Sequence, residues 1–436
     1  MKKGNKLIVT FVHSNYRLIS AGTEKFVREY SSLLEKNTYN SLTFFSMAKR
    51  KNIRLVGVIY NGLFIGLYQY ELISEIISGI MSKYKLVLNS LCIQHLKNHD
   101  LEYIKNVIEE FEVPVNVFIH DYYALCINSR MISSDGNSCG FEKPNKEKCL
   151  GCQFSSMAIK HFNSTYEFYK SIDDNLNKVI VPSMFVEKIL CNTFPFLERK
   201  IVVRPHLVFE GRSELKEISG KIKIAYVGAQ IEDKGFNEWI KLVEYLTKTH
   251  PNDYEFYYFG FGNKKINNVK NIYVAVSDKE SKPMECYLKE YGINCALLWS
   301  HCEETYSYVY YEMALAGIFV ITNLNSGNVS EEVLDKKNGI AFTDLNMVYD
   351  WFSKPEKVVE SINEYRTSDR FAPKIASENN EMFLPKSCIA SKQYNQIPDS
   401  NSIWSIVYCI KHMLVNKEKN QSYELLREYF RFKKGI

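Results

Sequence analysis

Two carboxylates, Glu304 and Glu312, stand eight residues apart in a window able to do chemistry. A short apolar run, Ala296 to Trp299, precedes them. A stretch rich in small residues stops at Gly317 and is followed by a β-branched run. The order is strand, loop, helix, glycine stop, strand. At about 100° per residue, eight helical positions would turn the two side chains onto different sectors of one helix. Both can face one ligand only if Glu304 lies in the loop and Glu312 on the helix, leaning back toward its N-terminus. So placed, they can accept charge-assisted hydrogen bonds from ligand hydroxyls. The alternative is two solvated carboxylates on a surface helix.

Other positions carry chemistry of their own. Gly228-Ala229-Gln230-Ile231-Glu232-Asp233-Lys234-Gly235 joins a strand to a helix. Free N–H groups at such a helix start, with the Lys234 charge, suit a diphosphate, although an ordinary βα turn reads the same way. His120-Asp121 follows the apolar run Val115–Ile119, again at a strand's carboxyl end. There His120 either meets a ligand or is a structural histidine bonded to backbone. Cys126, Cys139, Cys149 and Cys152 fall within a Gly/Asn/Lys-rich insertion, the last pair as Cys-x-x-Cys. Four thiolates suit tetrahedral zinc with no open coordination position; free thiols and a disulfide are the alternatives.

The elements that position these groups alternate strand and helix. Strands are expected at Lys6–Val12, Leu42–Ser46, Lys85–Asn89, Val115–Ile119 and Val179–Val181. A second series lies at Ile222–Val227, Tyr254–Phe259, Asn271–Val276 and Gly339–Phe342. Helices are expected after Gly22, after Ser183, over Phe236–Thr249, around Met284–Tyr291 and over Trp404–Phe432. Arg204-Pro205-His206 and Glu210–Gly220 read as a linker, and 366–400 as polar and irregular. The expectation is two Rossmann-like domains facing across a cleft. The first spans 1–207 with the Cys-rich insertion 126–152, the second 208–400. Terminal helices over 401–436 return to the first.

Bulk composition sets the frame. The chain has 436 residues, 46% of them hydrophobic, with 30 Tyr and 26 Phe, enough for two or three packed domains. A net charge of +5 without long basic runs does not call for nucleic acid. Eleven cysteines, and a start that leads straight into a β-branched strand, predict a cytoplasmic chain with reduced thiols. The longest charge-free stretch, Leu55–Tyr70, is too short to span a membrane. It reads as a buried or interfacial segment; the interfacial option would place the chain at the inner face of the membrane as a peripheral protein.

Together these segments resemble family-4-like retaining glycosyltransferases of the GT-B fold. The window Glu304, Tyr306-Ser307, Glu312, Ala314, Ala316-Gly317, Val320 is similar to that family's donor signature. The loop ending Lys234-Gly235 resembles its diphosphate motif, with Ala229 in place of arginine; Gln230, Lys264 and Lys265 are nearby groups able to compensate. Ala21-Gly22-Thr23-Glu24 resembles the glycine loop of the first domain, and Ser326-Gly327-Asn328-Val329-Ser330-Glu331 with Asn338-Gly339 the end of the donor domain. Val179–Val186, with Pro182-Ser183, resembles the strand and helix near the end of the first domain.

The resemblance implies a hexosyltransferase-type enzyme that moves a sugar from a UDP- or GDP-sugar to a glycan or lipid-linked acceptor. Anomeric configuration would be retained, and no metal would be needed for catalysis. Glu304 would face the transferred sugar with His120 across the cleft. Glu312 would bind the ribose, and Gly22, Lys234, Gly327 and Asn328 the rest of the donor. Bacterial surface polysaccharide is the implied setting. Ala229 and Ser307 depart from the pattern and favour a rival reading, a non-catalytic GT-B subunit that binds a glycosyltransferase or its acceptor.

Overall fold

A computed structural model describes residues 4–19, 21–47, 54–134, 136–212, 215–262, 265–274, 282–367, 373–378, 396–415 and 419–434. Lys264, the end of the strand expected over 271–276 and most of 366–400 lie outside them.

The first half is built on eight strands: β1 (Lys6–Val12), β2 (Asn40–Ser46), β3 (Leu55–Tyr60), β4 (Leu63–Gln69), β5 (Val87–Ile93), β6 (Val115–Phe118), β7 (Leu176–Val181) and β8 (Ile201–Val203). Their order is β4-β3-β2-β1-β5-β6-β7-β8. All neighbours run parallel except β2–β3 and β3–β4. β1 lies near the centre, and Leu7 to Val12 are buried on both faces, as a continuous apolar run requires. Helices α1 (Gly22–Lys36), α2 (Ile73–Tyr84), α3 (Leu101–Phe111), α4 (Ser155–Ser171) and α5 (Met184–Thr193) accompany this sheet.

The 55–70 stretch is the β3–β4 hairpin. Asn61 and Gly62 turn it with φ of 47° and 79°, the conformation that two-residue hairpin loops favour. Val56, Val58, Ile59, Phe64, Ile65 and Leu67 are each at most 1% exposed. Most apolar side chains of this stretch are therefore spent on the core, while Leu63 beside the turn is 50% exposed. Among the described residues no helix is long and apolar enough to cross a membrane.

A strand β9 (Leu207–Arg212) follows, and then the second half: β10 (Ile222–Val227), β11 (Tyr254–Gly260), β12 (Val269–Tyr273), β13 (Cys295–Leu298), β14 (Phe319–Asn323) and β15 (Gly339–Phe342). Their order is β12-β11-β10-β13-β14-β15, all parallel. This is the doubly wound order 3-2-1-4-5-6, with its switch point between β10 and β13. Helices α6 (Phe236–Thr249), α7 (Met284–Glu290), α8 (Tyr308–Leu315), α9 (Asn328–Lys336), α10 (Leu345–Phe352) and α11 (Pro355–Thr367) complete it. Tyr226, Phe236, Trp239, Tyr254, Phe256 and Tyr258 fill one side of this sheet.

The segment read as a linker is not wholly irregular. β9 pairs antiparallel with β16 (Pro373–Glu378). Neither strand has a long apolar run, so only the distant partner reveals them.

Helices α12 (Ser402–Val415) and α13 (Lys419–Lys433) return to the first sheet and cover its β4 edge. Asn401 N–H donates to Leu67 O at 2.8 Å, and Leu67 N–H to Ser405 Oγ at 2.9 Å. Glu428 accepts from Phe64 N–H at 3.0 Å and from Arg17 in a two-pronged pair at 2.7 and 2.9 Å. An open edge strand is thereby paired by side chains and backbone.

Candidate active site

The carboxyl ends of both sheets open onto one cavity of about 710 Å³ between the halves. From the first half come His13 and Ser14 after β1, Gly22 and Glu24 at the start of α1, Lys97 after β5, and His120 to Tyr122 after β6. From the second come Asp233 and Lys234 after β10, and Cys302 to Val309 between β13 and the first turn of α8. These second-half loops flank the β10/β13 switch point, where open parallel sheets bind ligands.

Glu304 is fixed by its backbone. Its N–H donates to Ser326 O at 3.2 Å, its carbonyl accepts from Asn328 N–H at 2.9 Å, and it bridges to Gly327. Gly327 has φ of +66°, and a Cβ there would stand 2.6 Å from Glu304 O and 2.7 Å from Glu304 N. The glycine is needed so that this loop can lie against Glu304. The Glu304 side chain, 10% exposed, pairs with Lys234 and accepts from Ser300 Oγ at 3.1 Å. Burial opposes the Lys234 charge, but the Glu304 carboxylate outweighs it and raises the lysine pKa. Gly235 sets the lysine's place: φ is +79°, and a Cβ would lie 2.2 Å from Trp299 O.

Glu312 lies on α8, whose start is capped by Ser307: its Oγ accepts from Tyr310 N–H at 3.4 Å. Lys25 of α1 reaches across to Glu312 Oε1 at 3.2 Å, with its ammonium 4.3 Å from the Tyr308 ring centre. Burial raises the Glu312 pKa, and Lys25 works against that rise.

On the facing side, His120 Nε2 is 2.7 Å from Gln94 Oε1. The ring packs on Phe26 at 4.9 Å, near Phe118 and His206. Burial, helped by His95, lowers its pKa to about 3, so the imidazole is neutral at ordinary pH. Thr305 Oγ1 donates to His120 O at 2.6 Å and Ser183 Oγ to Thr305 O at 2.9 Å, tying the two halves together at the cavity. Burial would raise Glu24, yet hydrogen bonds from His13 and Ser14 bring it to about 2. Burial likewise opposes the Asp121 charge, but His95 Nε2–H at 3.1 Å and Tyr123 N–H at 2.9 Å bring it to about 2. Among the described residues, the buried hydroxyls of Tyr122 and Tyr308, both lining this cavity, have no hydrogen-bond partner.

No family model matches the sequence, and no curated protein matches it. Solved structures do. The chain is similar to a glycosyltransferase from Rickettsia africae ESF-5 at a TM-score of 0.50 and 15% identity, over 83% of this chain and 94% of that one. The fold is GT-B. Anabaena HepE in complex with UDP gives 0.49 at 12% identity, over 82% and 93% of the two chains. A chain of the GtfA/B complex gives 0.45 at 12% identity over 72% of this chain, which spans 61% of that chain's length.

The GT-B cleft gathers four of the residues singled out in the sequence: Gly22, His120, Lys234 and Glu304. Glu312 stands beside it, joined to Lys25. Gly327 and Asn328 are behind the wall; Asn328 is 1% exposed, and both brace Glu304. Sequence reasoning missed His13, Ser14, Lys97, Arg130 and Lys25. The first three follow strand ends, a usable signal once the switch point of the first sheet is known. Lys25 and Arg130 carry no local signal, since only the fold brings each of them to the other half.

The four cysteines of the insertion line a separate cavity of about 430 Å³. Burial raises the Cys126 pKa, and Cys149 and Cys152 are near enough to add to it. The donor set is right in kind for zinc. Among the described residues, however, no group of three or more His, Cys, Asp or Glu is gathered to hold a metal ion. The four thiols stand around one cavity.

Proposed function

We propose that this chain is a retaining glycosyltransferase that moves a sugar from a nucleotide-sugar donor to a glycan or lipid-linked acceptor. The observation that carries the reading is the Lys234–Glu304 pair at the β10/β13 switch point, facing His120 across one cavity. The Rickettsia africae structure with the same fold bears the name glycosyltransferase, which is support at the level of fold.

In this reading Glu312 accepts the ribose hydroxyls. Lys234 and the first turn of α8 meet the diphosphate as it leaves. The bond from the anomeric carbon to the diphosphate oxygen breaks with its electron pair on that oxygen. The acceptor oxygen bonds to the same carbon on the same face and passes its proton to the departing diphosphate oxygen. Neutral His120 suits a hydrogen bond to a sugar hydroxyl better than proton abstraction, because its pKa lies far below neutrality. Glu304, already holding Lys234, orients the sugar. An intact Lys234–Glu304 pair weighs against the non-catalytic alternative. Four thiols around one cavity support structural zinc as the cross-link of the insertion once they close on the ion. A bacterial surface glycan as the acceptor's setting belongs to the same proposal.

The test is a panel of UDP- and GDP-sugars screened by thermal shift and donor hydrolysis, since a ligand of the folded state raises its apparent stability. Stabilisation by one donor with slow release of its sugar is expected; no stabilisation and no hydrolysis across the panel overturns the proposal. Proton NMR of the first product formed reads the anomeric configuration.

A further inference from the structure

The donor loop 228–235 offers a diphosphate a single cation, Lys234, already engaged by Glu304. A nucleoside diphosphate ester carries one negative charge on each phosphate. The cavity wall around that lysine is acidic, with Asp233, Glu303 and Glu304. A second cation is needed close to Lys234, and position 229 of the loop is alanine.

Arg130, from the insertion of the opposite half, lines the same cavity and places its guanidinium on Asp233, the neighbour of Lys234. It is close enough for its charge to bear on that lysine. The turn presenting it is firmly held. Tyr122 N–H donates to Ser129 O at 3.1 Å, Asn128 Nδ2 to Ile132 O at 2.6 Å, and Met131 is 2% exposed. The insertion is also fastened to the second donor loop, where Ser138 Oγ donates to Glu303 Oε1 at 2.7 Å.

We propose that Arg130 is the second diphosphate-binding residue of this site, supplied across the cleft by the Cys-bearing insertion. The inference rests on the donor-site reading above. Its pair with Asp233 is exposed, at 59% and 34% of the two side chains. Such pairs contribute little, so the guanidinium is free to exchange the carboxylate for phosphate. Its planar fork suits two phosphate oxygens at once. Donor binding thereby depends on the insertion as well as on the second half.

The test is calorimetry on the full chain with UDP and GDP, and with uridine and guanosine followed by competition. Arg130→Ala should weaken whichever nucleoside diphosphate the wild type binds by about tenfold or more, as for the loss of a charge-assisted bond. The matching nucleoside should be unaffected. Arg130→Lys should keep part of the affinity, and Asp233→Ala should bind the diphosphate at least as well as the wild type. Arg130 is exposed, so the variant is expected to fold, which circular dichroism checks.

Unchanged UDP or GDP affinity in Arg130→Ala overturns this inference and leaves the donor reading standing. Equal losses in Arg130→Ala and Asp233→Ala also overturn it, because the pair would then be structural. A wild type that binds neither UDP nor GDP overturns the donor reading and this inference with it.

Discussion

Replacing Glu312 with alanine tests the donor site where its magnitude can be worked out. The carboxylate holds Lys25 at 3.2 Å, with the two side chains 20% and 30% exposed. A partly exposed ion pair contributes about 0–1 kcal/mol. Ribose hydroxyls bonded to a carboxylate contribute about 1.5–3 kcal/mol. Nucleotide binding exchanges the first for the second. Glu312→Ala should therefore weaken UDP or GDP by about 0.5–3 kcal/mol, roughly 2- to 160-fold in Kd. Lys25→Ala, which frees the carboxylate, should tighten binding by up to about fivefold on the same arithmetic. Titration calorimetry reads both, with circular dichroism to check folding. A folded Glu312→Ala protein with wild-type nucleotide affinity would refute the ribose role. Weaker binding in Lys25→Ala would refute competition between Lys25 and ribose.

His120→Ala and Glu304→Gln should each slow transfer more than they weaken nucleotide binding, the signature of contacts made mainly in the transition state; equal loss in both measurements removes the residue from that role. Gly235→Ala must strain a backbone at φ +79° and move Trp299 O from 2.2 Å. It should lose about 1–3 kcal/mol or more in urea unfolding, and an unshifted midpoint contradicts the argument. His99 and His120 fold with pKa values of about 4 and about 3 against an ordinary 6.5. The unfolded chain then binds more protons over that window, so stability should fall as pH drops from about 6.5 toward 4. His99→Gln should flatten that slope, and a profile flat from pH 7 to 4 in the wild type refutes the burial argument. If the four thiols close on zinc, metal analysis should find about one ion per chain, lost in Cys149→Ser/Cys152→Ser; metal-free protein with four titratable thiols counts against it.

Much of the fold was legible because parallel strands buried on both faces are written as continuous apolar runs. Lys6–Val12 and Ile222–Val227 match the structure residue for residue, and so does the partly buried edge strand Gly339–Phe342. The β3–β4 hairpin was legible too. Its Asn61-Gly62 pair, between two apolar runs, is the strongest short-range hairpin signal. β9 and β16 were not legible, because a short two-stranded ribbon shows itself only through a partner about 160 residues away.

The candidate site divides along the same line. By itself the sequence determined which residues stand at strand ends: Lys234, Glu304 and His120 are placed by local strand–loop–helix order, and Gly22 by the start of a helix. Local order cannot say what lies across a cleft. Only the tertiary structure decided that Lys25 meets Glu312, that Arg130 reaches Asp233, and that His13 and Ser14 hold Glu24. It also decided that Gly327 and Asn328 brace Glu304 from behind rather than face the cavity. These contacts join segments 100 or more residues apart, or turn on which way a loop packs. Such choices are made by the closure of two sheets around one cavity, which no local window of sequence contains.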